Sequence, residues 1–358
     1  MGRHVAGDMP ELDRLVEESC AAIGAEIDAL RIPRLAGVVL GGGYGRGEGG
    51  AIEKLESKVG VGEGKSSALE LQLKTPTFAL SNDLDFFAIT EDGVPEAETV
   101  ASIAAALEPV SKRWTERLGV DVDFAVKTPW RLKHDEDRLM VQELVHGYYD
   151  VAGCKGEELF AGIARREPSE LPVGEATRLL MNRGMGLLLA KSKDGWSSKL
   201  ELENGTIPLS NSELELCSNF VNRNINKCVL GAGDARLIAA GEYRWKAEDR
   251  AAALGDALYA SAVEWKFRPR AFPVCNWETA RTIWLAAEDD VGKACSRNRA
   301  AGRTLRNALR WLVRRRTLGD ISTFGLAPET RVLRNVAAAI RGYCGMSPAL
   351  RRDWEVFN

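Results

Sequence analysis

The chain has little of what marks a secreted, metal-scaffolded or membrane-spanning protein. Its seven cysteines (Cys20, Cys154, Cys217, Cys228, Cys275, Cys295, Cys344) are odd in number, scattered, and never spaced C-x-x-C. That argues against a disulfide framework or a cysteine zinc site and for a reducing compartment. Only three histidines occur, His4, His134 and His146; they form no metal pair and no persuasive Ser/His/Asp order. None lies in the C-terminal half, which rules out an R-x-x-x-x-H ribonuclease motif there. No apolar run approaches the roughly 18 residues of a membrane span. The N-terminus MGRHVAGDMPELDRLVEE also lacks the apolar stretch of a secretory signal. No membrane partner is therefore expected, and the location expected is cytoplasmic. Excess positive charge is missing too. With 48 Lys+Arg against 51 Asp+Glu the net charge is −3, unlike the strongly basic surface of a dedicated nucleic-acid binder.

What is present is ample material for a core. The 358 residues are 45% hydrophobic and 28% charged, enough for two ordinary globular domains. Apolar residues at helical spacing from Met9 to Leu30 predict an amphipathic helix. Leu35–Leu40 is a short continuous apolar run and predicts a buried strand. A glycine loop follows, then a short helix over Ala51–Ser57, a polar glycine-rich loop over Val59–Ser67, and a half-buried strand through Leu69, Leu71 and Leu73. Asp83–Ile89 and Val120–Val126 read as strands flanking a helix over Glu96–Leu118, with one more extended piece around Val141–Val151. Beyond about residue 155 the pattern turns helical: about 173–192, 213–241, 246–267, 276–290, 296–315 and a last helix near 329–343. The expected class is α+β: a head over 1–155 with a small mixed sheet, then an all-helical C-terminal domain over 156–358.

Three segments of the head carry chemistry. Asp83-Leu84-Asp85 and Asp121-Val122-Asp123 each hold two acids one residue apart. On a strand such side chains share a face. Both pairs stand at the start of apolar runs, Phe86-Phe87-Ala88-Ile89 and Phe124-Ala125-Val126. Carboxylates leading buried strands need something to offset desolvation, and Mg²⁺ is such a partner because it prefers carboxylate and phosphate oxygens. The third ligand beside Asp83 and Asp85 could be either acid of the second pair; Asp121 is favoured because it opens the strand. Ahead of them stands Gly41-Gly42-Gly43-Tyr44-Gly45-Arg46-Gly47-Glu48-Gly49. Glycine lets backbone N–H groups approach an anion closely, so this loop reads as a phosphate cradle in which Arg46 is either exposed or on a phosphate. Two rival motifs are weaker. Gly45-Arg46-Gly47-Glu48-Gly49-Gly50 fits G-x-G-x-x-G only trivially in so glycine-rich a stretch. Gly60-Val61-Gly62-Glu63-Gly64-Lys65-Ser66 is one residue short of a P-loop. Together the segments predict metal-assisted phosphoryl or nucleotidyl transfer.

The order glycine loop, h-Asp-h-Asp-h strand, h-Asp-h strand resembles the DNA polymerase β-like nucleotidyltransferase superfamily. It is most similar to bacterial nucleotidyltransferase-like proteins with a GGxGRGEG loop and an Asn-Asp-x-Asp strand, here Gly42–Gly49 and Asn82–Asp85. The resemblance covers about residues 35–130. It implies a nucleotidyltransferase head, with Gly42, Gly43 and Gly45 at the nucleotide phosphates and Asp83, Asp85 and Asp121 as catalytic ligands of two Mg²⁺ ions. It also implies transfer of a nucleoside monophosphate from a nucleoside triphosphate to a hydroxyl acceptor, RNA among the candidates. Asn222–Lys227 and Gly231–Ala235 resemble the helical region after the head, where Lys227 or Arg223 would either reach the triphosphate or lie on the ordinary surface. Two features depart from the family: Gly43 replaces the usual serine, and Ala51–Leu80 lengthens the gap before the D-x-D strand. The alternative is a catalytically silent nucleotide-binding or regulatory protein that keeps the fold. Farther on, Arg303, Arg306, Arg310 and Arg314-Arg315-Arg316 predict a basic helix face, read chiefly as a solvated surface. The tryptophans Trp245, Trp265, Trp277, Trp284 and Trp311 read chiefly as core.

Overall fold

The computed structural model describes residues 3–54, 77–203, 211–297 and 328–357, with backbone alone at 54, 77, 192–203, 211–218 and 296–297. It separates into two units. The first takes Met1–Glu136, Glu143–Ala164 and Phe267–Pro269; the second takes Asp137–Gln142, Arg165–Lys266 and Arg270–Asn358. Each has its own hydrophobic core. The fold is thus mixed α+β, with a small mixed sheet early and a helical C-terminal region. Among the described residues no helix is long and apolar enough to cross a membrane.

The first unit opens with α1 (Pro10–Leu30), whose Pro10, Glu11 and Asp13 suit a helix start. It buries Leu12, Val16, Cys20, Ile23 and Ile27 along one face. The Asp13 carboxylate also accepts the backbone N–H groups of Arg3, His4 and Val5, which ties the N-terminal segment to the helix. The main sheet has the order β5 (Val122–Lys127), β4 (Leu84–Thr90), β1 (Leu35–Leu40), β6 (Tyr149–Gly153). Its central strands β1 (Leu35–Leu40) and β4 (Leu84–Thr90) are antiparallel, with Leu40 opposite Phe86. Helix α3 (Glu96–Leu118) then carries the chain back so that β5 (Val122–Lys127) lies parallel to β4. This helix buries Ile103, Leu107, Val110 and Trp114, and stops at Gly119, whose φ of 70° is the usual glycine C-terminus.

Two elements differ from the sequence expectation. Ala51–Ser57 was expected to be helical, but Ala51–Lys54 is a strand, β2, paired antiparallel with β3 (Thr77–Leu80). Its partner settles the matter: Ala51 and Leu80 are opposite each other and both buried. The stretch around Val141–Val151 is not one extended piece. Its first part is α5 (Leu139–His146), because Val141, Leu144 and Val145 are buried together at helical spacing. Only then comes β6 (Tyr149–Gly153), antiparallel to β1. Two more short helices of the region are α4 (Pro129–His134) and α6 (Gly156–Leu159). The loop over 59–67 and the strand through 69–73 lie outside the described residues.

The second unit is built on α7 (Val173–Glu203) and α8 (Asn211–Ala240), against which α11 (Trp277–Arg297) and α12 (Pro328–Arg341) pack. Trp284 sits fully buried and donates its indole N–H to the Leu180 carbonyl at 3.0 Å. Gly184 lets it in, since a β-carbon there would meet Trp284 and Val336 at 2.6 Å. The single helix expected over 246–267 is two, α9 (Ala247–Leu254) and α10 (Ala257–Phe267). Gly255 breaks it with φ 60°, and the Asp256 carboxylate accepts the N–H groups of Leu258 and Tyr259. A terminal helix α13 (Pro348–Phe357) follows the last expected one, begun by Ser347, whose hydroxyl accepts the Leu350 N–H. The helix expected to 315, Trp311 and the arginines at 303–316 fall largely or wholly outside the described residues.

Candidate functional site

The register of the parallel pair positions the acids. Leu84 is level with Val122 and Asp85 with Asp123, and the Leu84 N–H bonds the Asp121 carbonyl at 2.8 Å. Leu84 and Val122 are buried on one side of the sheet. By strand alternation the four aspartates belong to the other side, where Asp85, Asp121 and Asp123 are exposed and Asp83 is half-buried. Partial withdrawal from water, then the charges of Asp121 and Asp83, hold the Asp123 carboxyl above the usual aspartate range. Asp123 therefore feels Asp121 and Asp83 as like charges.

The glycine loop meets the same strand end. Gly41 donates its N–H to the Asp85 carbonyl at 2.8 Å, and the chain then makes one helical turn, α2 (Gly42–Gly45). At Gly42 φ is 60° and a β-carbon would overlap Oδ2 of Asp85, so only glycine admits the carboxylate here. A β-carbon at Gly45 would lie 2.5 Å from the Leu40 carbonyl, and one at Gly43 would lie 3.3 Å from that of Glu48. Amides in the first turn of a helix have no carbonyl partner within it. The loop therefore brings the Gly42 backbone next to the Asp85 side chain.

The sequence-derived residues are not all gathered. Gly42 meets Asp85 directly, and Asp83, Asp121 and Asp123 share its face. Among the described residues, however, no three His, Cys, Asp or Glu side chains close around a point where a metal ion would sit. Arg46 is not an open phosphate ligand. Its guanidinium lies 3.2 Å from Glu143 and 3.9 Å from Glu48, and its stem packs over Gly147. Lys227 is exposed on α8 and Arg223 half-buried there, both in the second unit.

Sequence reasoning passed over what supports the loop. Tyr44 is fully buried. Its hydroxyl donates to the Gly50 carbonyl at 2.7 Å and accepts the N–H groups of Ser81 at 3.2 Å and Asn82 at 3.4 Å. Burial, with a smaller push from Asp83, raises the phenol to about 12, against the two N–H donors, so it stays protonated at neutral pH. His4 is buried beside it, Nδ1 3.1 Å from the Tyr44 carbonyl, and burial pulls its pKa below the ordinary value. Gly49 bonds the same segment on both sides, to the His4 carbonyl and from the Ala6 N–H, each at 2.9 Å. One signal was available: a bulky aromatic set within a run of glycines.

The chemistry of this donor set suits a hard divalent cation, since neighbouring carboxylates that repel one another are the groups such a cation neutralises. No protein-family model, no curated protein and no solved structure matches this chain.

Proposed function

We propose that this protein is a Mg²⁺-dependent nucleotidyltransferase that moves a nucleoside monophosphate from a nucleoside triphosphate to a hydroxyl acceptor. One observation carries the reading: the turn at Gly42 abuts the Asp85 carboxylate, on the face that Asp85 shares with Asp123 of the parallel neighbour. The reading takes the backbone N–H groups of this turn as phosphate donors beside the acid oxygens of one strand end. Asp83 and Asp85 would hold the metal, and the register favours Asp123, level with Asp85, over Asp121 as the third ligand. When bound, Mg²⁺ offsets phosphate charge and lowers the pKa of an attacking hydroxyl. The loop amides of Gly42 and Gly43 orient the triphosphate. The acceptor oxygen attacks the α-phosphorus, forming one P–O bond as the bond to pyrophosphate breaks. Asp121, at the exposed rim, takes the hydroxyl proton. Acceptors in keeping with so open an acid face are small alcohols, sugars and RNA ends.

A second reading, a silent nucleotide-binding protein, is favoured by the engagement of Arg46 with Glu143 and by the absence of a closed metal-ligand trio among the described residues. Titration calorimetry with ATP, GTP, CTP and UTP, with and without Mg²⁺, followed by pyrophosphate release over an acceptor panel, separates the two. The transferase releases pyrophosphate with at least one acceptor and loses it in Asp83→Ala and Asp85→Ala. Tight binding with no release on any acceptor supports the silent protein, and no binding at all sinks both.

A further inference from the structure

We propose that Tyr44 is a positioning residue of this site: its hydroxyl couples the glycine turn to the segment leading into Asp83, so that phosphate cradle and carboxylates respond to ligand as one body. The proposal rests on the nucleotide-binding reading above and extends it to a side chain that touches neither nucleotide nor metal.

A buried tyrosine with a bonded hydroxyl is ordinary in a core. What distinguishes Tyr44 is which groups its oxygen joins. The carbonyl it reaches, that of Gly50, belongs to the exit of the glycine loop. The two N–H groups it accepts, from Ser81 and Asn82, belong to the residues immediately before Asp83. One atom therefore spans two segments more than 30 positions apart in the chain. The ring cannot swing away to release them: it is fully buried, and a β-carbon on Gly49 would overlap it. The backbone of Tyr44 is held as well, its carbonyl facing Nδ1 of His4 at 3.1 Å and the Gly47 N–H at 3.4 Å. Phenylalanine would fill the same volume, and only the link would go.

Hydrogen-exchange mass spectrometry on the full chain tests this, with Mg²⁺ and each of the four nucleoside triphosphates in turn. In the wild type, the nucleotide that binds protects residues 41–50 and 81–85 at the same half-saturating concentration. In Tyr44→Phe, which removes the bonds to Gly50, Ser81 and Asn82 together, affinity falls roughly tenfold or more, and protection of 81–85 no longer tracks that of 41–50. A variant that merely melts earlier but keeps its affinity and its linked protection overturns the proposal while leaving the nucleotide reading intact. Should Tyr44→Phe fail to fold, exchange of the unliganded wild type across urea decides: one shared opening free energy for 41–50 and 81–85 supports the coupling, and separate ones overturn it. A wild type that takes up none of the four nucleotides overturns the underlying reading and the coupling with it.

Discussion

Burial and the nearby charges of Asp121 and Asp83 hold the Asp123 carboxyl above the usual aspartate range, and this has a measurable consequence. Folding raises its affinity for a proton. Its contribution to stability is therefore fully present below the usual aspartate value of about 3.9 and is lost as pH rises through the raised folded value. Asp123→Asn is expected to melt above the parent at pH 7, with the two curves converging below about pH 4. Thermal melts across pH 3–8 read this directly, and a variant that melts below its parent at pH 7 contradicts it. Millimolar Mg²⁺ should raise the parent's melting temperature and raise that of Asp123→Asn less.

Among the elements, the turn that starts at Gly42 is the most exacting. Gly42→Ala places a side chain at φ 60° and drives it into the Asp85 carboxylate. Left-handed backbone alone costs an ordinary residue about 1–2 kcal/mol, so urea unfolding should show at least that loss, and nucleotide binding should vanish in the same calorimetric assay. A variant that binds as the parent does would show that Gly42 is not part of the cradle. How far the sequence revealed these elements depended on whether their causes were local. Strands β4 and β5 were legible because Asp83, Asp85, Asp121 and Asp123 interrupt apolar runs at every second position. Helix α3 was legible from its acidic first turn and its Gly119 stop. Strand β2 was hidden because its reason to be extended is its partner Thr77–Leu80, more than 20 residues away. Helix α5 was hidden because its apolar residues run on within a few positions into those of β6, Tyr149 and Val151, so that two short elements read as one. The register that sets Asp123 level with Asp85 is a property of two strands and is written in neither.

For the molecule as a whole, the division into units is not a division of the chain. Residues 137–142 belong with the helical unit although α/β residues precede and follow them, and Phe267–Pro269 belong with the α/β unit although helices precede and follow them. Arg268 of that short segment donates to the Ala6 carbonyl at 2.7 Å, next to the Val5–Gly49 bridge that closes the glycine loop. A fragment of residues 1–164 lacks this bond. It is expected to show faster amide exchange at Ala6 and Gly49 than the intact chain; equal exchange would show that residues 267–269 do not matter there. The feature has a consequence for how such a protein can change over generations. A module whose parts interleave along the gene cannot be lifted out by one crossover and joined to another partner. A cut at any single point of the gene leaves part of one unit joined to the other, so neither half of the gene encodes one whole unit and nothing else.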